Sequence, residues 1–140
     1  MNKSIIIDAS VVAKWLLPDE ENLTANIIKK EFAKRDISIS VPIFIFYEVN
    51  NLLKSAILSG RLDVKEAINL YEAFLDIDFI VYFSKQLLKS TLKEAVDLNI
   101  SSYDASYIAL AECLQIPFFT ADEKLVKKAA NKLVRSVEDY

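Results

Sequence analysis

Short apolar runs alternate along this chain with longer helix-like segments, and no hairpin turn signal separates any two of the runs. That alternation is the tightest constraint on the fold. Parallel strands need a crossover connection, usually a helix, whereas antiparallel neighbours can be joined by a tight turn. The first run, Ile5-Ile6-Ile7, is β-branched throughout and ends at Asp8-Ala9-Ser10. A uniformly apolar strand suits the middle of a parallel sheet, buried on both faces. Further strands are expected over residues 37–41, 79–83, 117–120 and 133–137. The first of these, residues 37–41, alternates Ile with Ser, a period of two that puts it nearer the sheet edge.

Helices are expected between the strands. One spans residues 9–17 and stops at Pro18; Asp19, Glu20 and Glu21 then stand where the next helix start favours acids. That helix turns Leu23, Ile27, Ile28 and Phe32 inward. Pro42 suits the first position of a helix ended by Gly60, and Val64, Ala67, Ile68, Tyr71, Phe74 and Leu75 line one face of another. Residues 84–99 form a helix with Leu88, Leu92 and Ala95 inward, residues 101–115 a nearly all-apolar one, and residues 121–132 a short basic one. The expected fold class is α/β: a three-layer α/β/α sandwich around a central parallel sheet of four to five strands, with residues 1–140 forming a single domain.

Absences narrow the chemistry. There is no histidine, one cysteine (Cys113) and one glycine (Gly60). Serine–histidine and cysteine–histidine hydrolase sites are thereby excluded, a zinc site lacks ligands, and a phosphate-cradling glycine loop cannot be built. Carboxylates, hydroxyls and lysines remain, and oxygen-only ligand sets suit hard cations such as Mg²⁺ or Mn²⁺. A net charge of −3 argues against a general nucleic-acid coat but not against an enzyme whose acids hold metal ions. No apolar run approaches the ~20 residues that span a bilayer, so no membrane partner is expected. With no leader pattern and a lone cysteine, a cytoplasmic location is expected.

Four acids carry the functional reading, and each has a structural explanation beside it. Asp8 lies between a strand and a helix, where it can cap the helix. Asp104 stands three residues after Ser101, at capping-box spacing. Asp122 sits inside Thr120-Ala121-Asp122-Glu123, where Thr120 and Glu123 fit a capping box themselves. Glu48, about two turns into a helix apolar on nearly every side, is the hardest to explain structurally, because an unpaired buried acid is costly. Asp8 and Asp122 follow strands, and helices after strands begin at the same carboxyl edge, so Asp8, Glu48 and Asp122 can converge there; Asp104 needs its connection to bring it in. Two carboxylates ~4 Å apart repel by about 4 kcal/mol at an effective dielectric of 20, so such a cluster asks for protons or a cation.

Residues 5–17 (IIIDASVVAKWLL), Tyr47-Glu48-Val49-Asn50-Asn51, Tyr103-Asp104-Ala105 and Thr120-Ala121-Asp122 together resemble the motifs of PIN-domain proteins, and among them the VapC-type ribonuclease toxins of toxin–antitoxin pairs. The resemblance runs in order along essentially the whole chain. It implies an Mg²⁺- or Mn²⁺-dependent endoribonuclease with Asp8, Glu48, Asp104 and Asp122 as catalytic, metal-binding acids. It also implies Ser10, Asn51 and Thr120 as supporting polar residues, an RNA substrate, an antitoxin partner and a homodimer. Lys14 and Lys124 are candidates for RNA phosphate contacts; Lys127 and Lys128 read better as solvated helix faces. Trp15 reads as core, and Phe44, Phe46 and Tyr47 are compatible with a dimer face. A receiver domain would need paired acids at its first strand, and a haloacid-dehalogenase-type phosphatase a second Asp where Ser10 stands. A housekeeping RNA-processing nuclease and a catalytically silent binding module of the same fold are the alternatives.

Overall fold

The computed structural model describes residues 3–140. Five strands, β1 (Lys3–Ile7), β2 (Ile37–Pro42), β3 (Ile80–Tyr82), β4 (Phe118–Thr120) and β5 (Val134–Ser136), form one sheet in the order β3-β2-β1-β4-β5. Every neighbouring pair is parallel. The helices are α1 (Ala9–Leu16), α2 (Leu23–Ala33), α3 (Ile45–Leu58), α4 (Val64–Leu75), α5 (Lys85–Leu98), α6 (Ser102–Leu114) and α7 (Glu123–Ala129). They cover the sheet in the three-layer α/β/α arrangement expected from the alternation. Among the described residues no helix is long and apolar enough to cross a membrane.

β1 sits at the centre because its sequence can be buried on both faces: Ile5, Ile6 and Ile7 are wholly buried. The chain builds outward from it twice, through β2 and β3 on one side and through β4 and β5 on the other. The winding reverses between β1 and β4. In open parallel sheets the crevice beyond the carboxyl ends at such a reversal is where ligands bind.

Several local expectations change. β2 lies one strand in from the edge, nearer to it than β1 as expected, but it is paired on both sides, by β1 and β3. Its serines find partners or burial: half-buried Ser38 Oγ bonds Ser4 Oγ at 2.9 Å, and Ser40 is buried. Pro42 ends β2 and does not open α3; the Ile43 N–H donates to the Tyr82 carbonyl at 3.1 Å, prolonging the sheet pairing before the helix starts at Ile45. Glu48 therefore lies in the first turn of α3, not two turns in. The acids after Pro18 do not open α2. Asn22 caps it, accepting from the Ala25 N–H at 2.9 Å, while Asp19 and Glu20 bind Arg61 at 2.7 and 2.8 Å.

The helix faces differ too. α2 buries Ala25 and Ile28 but leaves Leu23 and Ile27 exposed; α5 buries Leu87 and Thr91 and turns Leu88 and Leu92 outward. α4 buries Ala67 and Phe74 while Val64, Ile68 and Leu75 remain in solvent. In each helix the apolar stripe is wider than the contact it makes. Trp15 is packed against the core, and its indole N–H donates to the Ala25 carbonyl at 2.8 Å, tying α1 to α2.

Candidate active site

Asp8 ends β1 and caps α1 in one step. Its backbone is extended, and its Oδ1 accepts from the N–H groups of Ser10 at 3.1 Å and Val11 at 3.4 Å. Two hydroxyls complete the grip. Ser10 Oγ donates to Oδ1 at 2.5 Å and Thr120 Oγ1 donates to Oδ2 at 2.6 Å. Thr120 is the last residue of β4, so this bond bridges the sheet reversal directly. Ser10 Oγ in turn accepts from the Ala121 N–H at 2.9 Å, and Thr120 Oγ1 from the Asp122 N–H at 3.1 Å. The two strand ends are thus stitched through one carboxylate.

The capping explanation for Asp8 therefore holds, and it accounts for only part of the side chain's surroundings. Burial drives the Asp8 carboxyl up to about 6, against the pull of the Ser10 and Thr120 hydroxyls, with the Asp104 charge adding to the rise. Glu48 is half-buried on α3, and burial pushes it up to about 7; a hydrogen bond from Tyr107 opposes this, and the charges of Asp8 and Asp104 reinforce it. Asp104, in the first turn of α6, is raised by burial and by the charge of Asp122, partly offset by Ser101. Asp8, Glu48 and Asp104 thus each feel the charge of a neighbouring acid at the carboxyl edge, and Asp122 enters through Asp104.

Their local roles are now separable. Ser101 caps α6, its Oγ accepting from the Asp104 N–H at 3.1 Å, so the Asp104 carboxylate is left for the group. Asp122 is exposed and itself caps α7, accepting from the Leu125 N–H at 3.1 Å; the expected Thr120–Glu123 box does not form. Glu123 instead accepts from the Ser136 hydroxyl. Among the described residues no three acids are gathered closely enough to make a finished metal shell. The donor set nevertheless fits a hard divalent cation. It is all oxygen, and Asp8, Glu48 and Asp104 are each raised by burial and by the charge of at least one neighbouring acid, a repulsion that a cation relieves.

One residue of this site escaped the sequence reading. Tyr107, wholly buried on α6, donates its hydroxyl to Glu48 Oε1 at 2.6 Å and stacks its ring on Phe118 with centroids 5.3 Å apart. Burial and the Glu48 charge hold its hydroxyl well above the usual tyrosine range, so it stays a donor. The signal was present: a tyrosine three residues after Asp104 in the run Ala105-Ser106-Tyr107-Ile108-Ala109 must find a partner for its hydroxyl when buried.

A cleft of about 620 Å³ opens beside the acids, lined by Ala9, Ser10, Tyr47, Glu48, Asn51, Leu52 and Tyr103. Asn51 is exposed on its wall. Lys14 is half-buried on α1 and Lys124 exposed on α7, and neither lines this cleft. Lys128 donates to the Asn99 carbonyl at 2.9 Å, in keeping with a surface role.

A buried strand-end acid at the reversal of a parallel sheet, coupled to Glu48 and Asp104, is the arrangement of a PIN domain. The family model of the PIN domain matches residues 5–131, and the chain belongs to that family. It is similar to Ribonuclease VapC3 of Pyrobaculum aerophilum, with 28% identity over 89% of this chain and 93% of that one. Ribonuclease VapC1 of Mycobacterium tuberculosis is 31% identical over 86% of each chain. Among solved structures, PAE2754 from Pyrobaculum aerophilum superposes with a TM-score of 0.73 at 26% identity, over 99% of this chain and 94% of that one. FitAcB from Neisseria gonorrhoeae shares the fold with a TM-score of 0.63 at 15% identity, over 97% and 99% of the two chains.

Proposed function

We infer that the chain is a divalent-metal-dependent endoribonuclease, the toxin of a VapBC-type pair, with residues 1–140 acting as one nuclease domain in the cytoplasm. The observation that carries this reading is Asp8: a buried acid locked by Ser10 and Thr120 across the sheet reversal and electrostatically coupled to Glu48 and Asp104. A structural cap needs neither that burial nor that company. The names of the VapC relatives support RNA as the substrate.

Mg²⁺ or Mn²⁺ would be held directly by Asp8 and Asp104, with Asp122 and Glu48 acting through water or by orienting the attacking water. Bound there, the ion would acidify water near neutral pH and offset charge on the scissile phosphate. The chain's own residues supply the frame. Ser10 and Thr120 hold the Asp8 carboxylate in one orientation. Tyr107 holds one oxygen of Glu48 and leaves the other to accept a proton or orient the attacking water. Asn51 offers an amide to the substrate from the cleft wall.

A cognate antitoxin and a second copy of the chain are part of the same proposal. Unpartnered apolar side chains on α4 (Val64, Ile68, Leu75) and along β3 and α5 (Ile80, Val81, Leu88, Leu92, Val96) give two surfaces such partners would cover. The test is inducible expression of the wild type beside Asp104→Asn, with cellular RNA mapped afterwards and purified protein assayed on RNA with Mn²⁺. Growth arrest and new RNA ends in the wild type alone are expected. Equal growth and unchanged RNA in both strains, with no cleavage in vitro, would reduce the chain to a silent binding module.

A further inference from the structure

The cleft beside the acids is lined in part by residues that the nuclease reading does not use. Tyr47 and Tyr103 stand on its walls, 76% and 53% exposed. One comes from α3 and the other from α6, and each immediately precedes a candidate acid, Glu48 or Asp104. A single exposed ring needs no explanation. Two rings on different helices opening onto one cavity do, because both present apolar faces to water where a ligand must pass to reach the acids.

Other tyrosines of the chain are spent differently. Tyr71 donates its hydroxyl to the Phe46 carbonyl, Tyr107 to Glu48 and Tyr140 to Glu31. The Tyr103 ring is braced by Phe44, with centroids 5.7 Å apart and planes at 88°, so it is oriented before anything binds. The cleft is also short of cations: its lining holds one acid, Glu48, two amide or hydroxyl side chains, Asn51 and Ser10, and no Lys or Arg. A polyanion gains little there through its phosphates. Its bases, however, can stack on aromatic faces whatever their identity, and Asn51 can meet a base edge. The volume of about 620 Å³ lies within the range that closes around a drug-sized ligand, enough for a nucleotide unit.

We propose that Tyr47 and Tyr103 are a base-stacking platform that seats unpaired nucleotides of the substrate beside the scissile phosphate, so that RNA is held here by ring faces more than by charge. This rests on the nuclease reading and adds positioning residues to it. Duplexed bases are already stacked on each other and cannot use the rings, so paired RNA is refused.

The test is fluorescence anisotropy with a labelled single-stranded oligoribonucleotide about a dozen residues long, and with the same strand in a duplex, on Asp104→Asn protein to suppress cleavage. Tyr47→Ala and Tyr103→Ala should each weaken single-strand binding by about 5-fold to about 100-fold, the range of one lost base stack. Tyr47→Phe and Tyr103→Phe should stay within about 2-fold of the parent, since a phenyl face stacks as a phenol does. In otherwise wild-type protein, the Mn²⁺-induced rise in melting temperature should be the same for all four variants. Alanine variants that bind as the parent does would overturn the platform and leave the rings to a protein partner. Phenylalanine variants as weak as the alanine ones would replace stacking with a hydroxyl contact, and a lost Mn²⁺ response would make the rings structural supports of the acids. If the parent binds RNA and only the variants fail to differ, the nuclease reading survives alone. A parent that neither binds nor cleaves RNA sinks both.

Discussion

Tyr107 shows how much one buried side chain contributes at this site. Its hydroxyl is the donor held at 2.6 Å from Glu48, and its ring lies wholly within the core against Phe118. Replacing it by phenylalanine keeps the ring and its stacking but removes the donor. A hydrogen bond to a charged group is worth roughly 1.5–3 kcal/mol, so Tyr107→Phe should lower kcat for RNA cleavage by about 10-fold to about 100-fold. KM should move little, because the hydroxyl faces Glu48 and not the cleft mouth. The check is steady-state cleavage of one RNA by the parent and the variant, with melting temperatures measured alongside. A well-folded variant that cleaves like the parent would show that Glu48 needs no such positioning.

Among the elements, the helix ends carry an unusual load because the chain has a single glycine. Gly60 takes the left-handed conformation after α3, with φ of 79° and open space where a Cβ would stand. The same conformation is forced on Asn99, Gln115 and Ala130 at the ends of α5, α6 and α7. Asparagine tolerates it, but alanine does not, at a cost of roughly 1–2 kcal/mol, part of which glycine gives back through its looser unfolded chain. Ala130→Gly, at an exposed position, should therefore raise stability by up to ~1 kcal/mol, read by chemical denaturation. A loss of stability would mean that the Ala130 methyl group is worth more than the strain it causes.

For the whole molecule, clustering of acids has a pH signature. The carboxyls of Asp8 and Glu48 are raised in the folded state to about 6 and about 7, against ordinary values of 3.8 and 4.5. An acid raised on folding binds more protons in the folded state than in the unfolded one between those two values. Its contribution is thus fully present below the ordinary value and is lost as pH climbs through the raised one. In chelator, the melting temperature should fall between about pH 4 and about pH 7 on these shifts. Mn²⁺ should restore it most at the upper end, where the acids are ionised, and least at the lower end, where protons compete. A flat profile without metal, or a Mn²⁺ effect independent of pH, would mean that the acids do not act as a group. Acids on the surface elsewhere, such as Asp19 paired with Arg61, respond to salt and not to Mn²⁺.

Much of this was legible along the chain. Ile5-Ile6-Ile7 reads as a strand buried on both faces, and the crossover lengths favour parallel pairing, so sheet, layers and the strand-end position of Asp8 follow from local composition and periodicity. The four acids were likewise nameable as candidates from the residues, and Ser10, Asn51 and Thr120 from the family resemblance. What local pattern does not contain is which face of an apolar stripe finds a neighbour. Leu88 and Leu92 read as inward yet lie outward, and Glu48 read as deep in a helix yet opens one, because the sheet pairing past Pro42 delays the start of α3. The hydroxyl of Tyr107 meeting Glu48, fifty-nine residues away in sequence, and that of Thr120 meeting Asp8 across the reversal exist only after the layers close. Period and propensity act over a few residues, whereas burial and charge coupling are set by elements the chain brings together last.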